Sequence, residues 1–186
     1  REGRARVHIV VAGGYEQSDQ FGPSTAPRAH VDAYDPERDA WAARAPMPRA
    51  VSGAASGAVG GGARLLIAGG GGLEAYDAAA DAWSAAGALA DPPQNLMAST
   101  AGRGAVVDGR LWVAGGFDEN SRNSAATFAY DEAANRWHAG PKLPNERSAF
   151  RAVGHRGTLV VVGGGPPLVL VGGLWSELPP LPLPVD

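Results

Sequence analysis

The chain has 186 residues, a formal net charge of −3 and no cysteine. The length is enough for one sizeable domain. Disulfides, thiolate metal sites and cysteine nucleophiles are excluded, and the weak charge offers no basic face for nucleic acid. Glycine (27) and proline (15) are abundant, without a collagen period and with Val/Leu/Ile runs between them. Many short strands and tight turns are therefore expected.

In chain order, the first element is an apolar strand ending in Gly13-Gly14, VHIVVAGG. It recurs as RLLIAGG to Gly70, RLWVAGG to Gly116 and TLVVVGG to Gly164. The first glycines of these pairs are 56, 46 and 48 residues apart. A near-continuous apolar run predicts a strand covered on both faces, and paired glycines let the backbone turn with positive φ. Next comes an eight-residue unit: Tyr-Asp, three residues, Asp or Asn, one residue, Trp. Its copies start at Tyr34, Tyr76 and Tyr130 and end at Trp41, Trp83 and Trp137. The constant Tyr-to-Trp spacing predicts a hairpin with one aromatic anchor on each arm. Asp35, Asp77 and Asp131 would start the turn, and Asp39, Asp81 and Asn135 would end it in the left-handed conformation. These tyrosines and tryptophans read as packing residues, as does Trp112 within its strand.

After the hairpins come Pro46-Met47-Pro48-Arg49 and Pro141-Lys142-Leu143-Pro144 with Arg147. Strands of small residues follow, at 51–59, 99–107 and 148–153. The fourth unit lacks Tyr-Asp. Leu168 stands seven residues before Trp175, and Gly172-Gly173 predicts a two-residue turn. The apolar stretch 158–175 is broken seven times by Gly or Pro, which argues for two strands rather than a membrane span.

Gly-Gly, Tyr-Asp and Trp in this order resemble the kelch repeat, over nearly the whole chain and with every hallmark in three units. The resemblance implies an all-β fold: a β-propeller of four-stranded antiparallel blades around a central channel. Four blades are expected in one domain spanning 1–186, at about 6–45, 50–87, 98–140 and 147–178, the first lacking its inner strand. Kelch propellers usually close with more blades, so an open part of a larger propeller is expected, with self-association through its open edges.

Loops after the second and fourth strand of each blade share one face of the disc. Residues 15–27 and 117–123 make long polar loops there, 69–72 a minimal one, and 88–98 a stretched one. In kelch proteins that bind peptides, this face carries the aromatic after Gly-Gly and the Arg before the inner strand. The matching positions are Tyr15, Phe117 and Asp118 for the first and Arg49 and Arg147 for the second. The second blade has no such Arg, only Asn95 and Ser99 nearby. An Arg fork beside an aromatic face suits a carboxylate, a phosphate or a sugar edge. The competing reading pairs these arginines with Glu146, Glu37 or a backbone carbonyl between blades.

His8 and His30 are placed within strands, His138 after Trp137 and His155 in a turn. They show no metal-ligand spacing, so no metal and no cofactor is expected. Galactose oxidase shares this propeller type, but its cysteine-linked tyrosine and copper have no counterpart in a chain without cysteine. The leading reading is a binding module for a protein or glycan, with no catalysis of its own and no nucleic-acid or membrane partner. Two alternatives stay open. One is a carbohydrate-processing enzyme like the kelch-type sialic-acid epimerase of bacteria, with Glu146 and Arg147 or Glu16 and Tyr15 as acid/base candidates. The other is a structural part of a larger multidomain protein.

Overall fold

The computed structural model describes residues 8–18, 22–86, 104–117, 120, 122–148 and 150–182. Its elements are strands, with one 3-10 turn at Gly60–Gly62. β1 (Ile9–Ala12) leads into a ribbon of β2 (Tyr15–Ser18) and β3 (Gly22–Pro27), and then come β4 (Val31–Asp35) and β5 (Ala40–Ala43). The first sheet has the order β1-β4-β5 and contains no inner strand among the described residues. Sheet two comprises β6 (Ala55–Val59), β7 (Arg64–Gly69), β8 (Gly72–Asp77) and β9 (Ala82–Ala85). Sheet three comprises β10 (Gly104–Val107), β11 (Arg110–Ala114), β12 (Thr127–Asp131) and β13 (Arg136–Ala139). Sheet four comprises β14 (Arg151–His155), β15 (Thr158–Val162), β16 (Leu168–Val171) and β17 (Leu174–Glu177). In sheets two to four each strand pairs antiparallel with the next in the chain. The inner strands β6, β10 and β14 pack side by side, so the sheets radiate as the blades of a β-propeller.

The eight-residue unit folds the same way in all three copies. Tyr34, Tyr76 and Tyr130 stand opposite Trp41, Trp83 and Trp137 across the hairpin. The ring centroids lie 5.2, 5.0 and 5.3 Å apart, in the range of attractive tilted pairs. The Oδ1 atoms of Asp35, Asp77 and Asp131 accept backbone N–H groups two or three residues on and so close the turn. Asp39, Asp81 and Asn135 end it with φ of 49, 49 and 50°. Each also accepts the hydroxyl proton of its own Tyr, at 2.6 to 2.7 Å.

Sheet four has the two-residue hairpin turn that the sequence predicts, and its arms pair differently from those of the Tyr-Trp hairpins. Its turn has only Gly172-Gly173, with φ of 58 and 82°, so the hairpin register is shorter. That turn brings Leu170, not Leu168, opposite Trp175, and Leu168 pairs with Glu177. The segment 15–27 differs from the expected loop, because it forms the β2–β3 ribbon with a bulge between Tyr15 and Gln17. Among the histidines, His8 and His30 precede β1 and β4 rather than lying within them, and His155 closes β14.

The core lies between the sheets. Ile67 of β7 packs with Val31, Met47 and Val51 of the preceding blade and its linker. Leu111 and Val113 of β11 pack with Ala55, Val59, Leu66 and Ala68 of sheet two. Val161 of β15 packs with Ala114 and Leu143. The inner strands approach closely because small residues line them: a Cβ on Gly154 would lie 2.1 Å from the Val106 carbonyl oxygen.

Candidate functional site

The candidate face is built from the Gly-Gly turns. Gly13 and Gly115 donate backbone N–H to the carbonyls of His30 and Ala126, and Gly14 and Gly116 donate to those of Val51 and Arg147. Glycine is required at the first position of the first and third pairs. Gly13 and Gly115 have φ of 75 and 55°, and a Cβ would fall 2.4 and 2.5 Å from the Val51 and Arg147 carbonyl oxygens. Residues returning from the loops complete the pattern. Arg28 bridges Val51 and accepts its N–H, and Ser124 does the same for Arg147. Each long loop is therefore pinned at its base to the chain entering the next blade.

This backbone pattern corrects the pairing of the two arginines. Met47 and Leu143 hold the same repeat position, each donating N–H to a carbonyl in the loop before it. Four residues on, Arg147 stands where Val51 stands, so Arg49 and Arg147 occupy different positions. Their side chains nonetheless reach similar targets. Arg147, only 2% exposed, donates from Nη1 to the Gly163 carbonyl (3.3 Å) and the Pro166 carbonyl (3.0 Å). Its Nε is buried with no partner among the described residues, and burial lowers its pKa. Arg49 lies over the Gly70–Gly72 turn, where a Cβ on Gly72 would meet the guanidinium at 2.8 Å. It donates from Nη1 to the Gly70 carbonyl (3.1 Å) and sets Nη2 3.5 Å from Glu74 Oε1. The minimal loop is glycine-rich because an arginine covers it. Backbone carbonyls are the partners of both arginines, as the competing reading proposed.

Tyr15 opens β2 and is 62% exposed, directly after Gly14 and its bond to Val51. Arg49, two residues before Val51, keeps about half its side chain in solvent. Tyr15 and Arg49 thus flank in sequence the Gly14–Val51 bond that ties the first ribbon to the linker. Phe117 forms a bridge with Asn123 above the Arg147 junction and is half-buried. Asn95 and Asp118 lie outside the described residues. Glu146 is exposed while Arg147 is buried.

Sequence reasoning missed Glu74 and the second role of Asp81. Glu74 is buried at the same face of β8 as Tyr76, a place that strand alternation alone would have marked. Asp81 accepts the Ala45 N–H (3.0 Å) as well as the Tyr76 hydroxyl. The Trp83 indole donates to the Ala45 carbonyl (2.7 Å), and the Trp175 indole to the Pro141 carbonyl (2.9 Å). The linker is thus tied to the next hairpin. The Tyr76 hydroxyl and the Ala45 N–H hold the Asp81 carboxyl below the usual carboxylate range. Burial, then the Asp81 bond, pushes Tyr76 up to about 12. Asp77 and Asp131 are lowered by the turn N–H groups they accept. These shifts belong to the turns and not to the Gly-Gly face. Among the described residues no group of three or more His, Asp or Glu is placed to hold a metal ion.

Residues 103–144, which hold sheet three and its hairpin, match the family model of the Kelch motif. Kelch-like protein 36 of Rattus norvegicus is 30% identical over 151 residues, which is 74% of this chain and 22% of that protein. The chain belongs to the kelch-repeat family. Kelch repeat protein M-T8 of Myxoma virus (strain Lausanne) is 28% identical over 120 residues, 59% of this chain and 22% of that protein. The chain therefore spans well under a third of the length of these relatives. The structure titled "Structure of YjhT" matches 94% of this chain and 68% of its own, with a TM-score of 0.72 at 16% identity. That likeness is one of fold. The four sheets are kelch blades, and their Gly-Gly turns gather on the candidate face.

Proposed function

We propose that this kelch chain is a binding module that presents the Gly-Gly face to a protein or glycan ligand. The observation that carries the reading is the junction of the first two blades. There the exposed Tyr15 opens a ribbon whose base is pinned to Val51, two residues after the half-exposed Arg49. A fixed aromatic face next to a guanidinium suits an acidic side chain or the polar edge of a sugar. The ribbon β2–β3 adds surface that the blade itself does not need. Arg147 supports the face from below and is not offered to solvent.

Peptide and glycan arrays identify the ligand class. Tyr15→Ala and Arg49→Ala should each weaken binding about tenfold or more, equivalent to about 1.4 kcal/mol, with melting behaviour retained. Arg147→Ala should instead destabilise the fold by about 2 kcal/mol, the scale of lost hydrogen bonds to a charged group. Ligands held equally well by wild type, Tyr15→Ala and Arg49→Ala would place binding elsewhere.

A further inference from the structure

We propose that the cleft between sheets three and four, on the side of the disc away from the Gly-Gly turns, binds a small carboxylate with an apolar body, such as an apolar amino acid. The chain itself shows what this place holds when it is filled. At the junction of sheets two and three, Arg64 opens β7 and donates from Nη1 to Glu132 Oε1 in the hairpin turn of the next blade. The buried Tyr130 ring stands behind that turn, in one cluster with Leu66 and Leu111. A carboxylate, an aromatic ring and the turn residues 132–135 thus close the gap.

The next junction has the same base and lacks the plug. Arg110 opens β11 as Arg64 opens β7, each five residues before the first glycine of its pair. Leu170 lies between Leu159 and Trp175 as Tyr130 lies between Leu111 and Trp137. Leu170 therefore replaces the ring, and Gly172 replaces Glu132. A Cβ on Gly172 would meet nothing within 4 Å. What remains is a cleft of about 500 Å³, inside the range of about 300–1,000 Å³ typical of ligand pockets. Arg110 reaches its own blade, with Nη2 2.9 Å from Asp131 Oδ2, and meets no carboxylate of sheet four among the described residues. Its side chain is 52% exposed, against 38% for Arg64. Trp112, on the same face of β11, takes the place of Leu66 and packs its half-buried indole with Leu159 and Leu170. A guanidinium beside an aromatic and aliphatic wall suits a carboxylate whose body is apolar. Asp108 is the one acid of the lining. It repels a second carboxylate and accepts a proton from an ammonium or hydroxyl, so the ligand carries a single carboxylate. Both walls belong to adjacent described sheets, so the cleft does not depend on what flanks sheet one or sheet four.

Heteronuclear NMR titration with free L-phenylalanine, phenylpropionate and phenethylamine tests this. The first two should shift the amides of Asp108, Arg110, Trp112, Gly157 and Gly172 saturably. Phenethylamine has the same apolar body without the carboxylate and should bind at least tenfold more weakly. Arg110→Gln should weaken both carboxylates about tenfold or more. Gly172→Asp should do the same by placing an anion where Glu132 stands, and it keeps the Asp-Gly pair that two-residue hairpins favour. Its fold is therefore retained even if Arg110→Gln loosens the blade. Tyr15→Ala lies on the other face and should bind these probes as the wild type does, so the Gly-Gly face stands or falls separately. Carboxylates that shift no cleft amide up to their solubility limit would overturn the proposal. Phenethylamine bound as tightly as phenylpropionate, or both cleft variants binding like wild type, would overturn it as well.

Discussion

Asp81 links two levels of structure through a single carboxylate. It accepts the Tyr76 hydroxyl within its own hairpin and the Ala45 N–H from the preceding linker. Both bonds favour the ionised form, so its folded pKa lies below the ordinary one. The stabilisation is therefore present above the unfolded Asp pKa of about 3.9 and is lost as pH falls through the lower folded value. Asn135 shows that a neutral amide can hold the same place, since it accepts the Tyr130 hydroxyl at 2.7 Å. In Asp81→Asn, urea midpoints should lie below wild type near pH 6, with the gap closing toward pH 2. A gap that is constant over that range would mean that the carboxylate charge contributes nothing. Tyr76 has the opposite sense. Its pKa is raised to about 12, so its contribution is complete below the unfolded value of about 10 and fades as pH rises toward 12.

Hairpins and their tryptophans act at the scale of the blade. Trp137 is 5% exposed and sits in the cluster that joins sheets two and three, whereas Trp41 keeps its Tyr partner but meets no neighbouring blade among the described residues. Trp137→Ala should cost about 3–5 kcal/mol of unfolding free energy, as for other buried aromatics. Trp41→Ala in dilute solution should cost about 1 kcal/mol, the scale of the ring pair alone. Chemical denaturation of both variants measures the difference, and equal losses would mean that the tryptophan acts only within its hairpin. Between inner strands the limit is space. Gly154→Ala should cost about 1–3 kcal/mol, because its methyl would fall on the Val106 carbonyl oxygen. The hairpin was legible in the sequence because every partner lies within seven residues, from Tyr76 to Asp81 to Trp83. Other features were not, because their causes are remote in sequence. The burial of Arg147 depends on Gly163 and Pro166, and its difference from Arg49 appears only when Arg28 and Ser124 are seen bonding to the next blade. The β2–β3 ribbon carries no apolar alternation, only Tyr15 set against Pro27.

Across the whole molecule, stability should follow how many neighbours a blade has. Repeat folds gain most of their free energy from junctions between units, so a unit with one junction opens before a unit with two. Sheets two and three are each flanked on both sides, and Leu66 and Leu111 at their centres are fully buried. Among the described residues sheet one is flanked on one side only, and Ile9 and Val11 are exposed. Native-state hydrogen exchange in dilute solution should therefore rank the amides of β7 and β11 as slowest. Those of β1 should exchange through a smaller opening that urea promotes first. Protection that is uniform across all four sheets would show that the chain unfolds as one block and that its junctions are not the units of its stability.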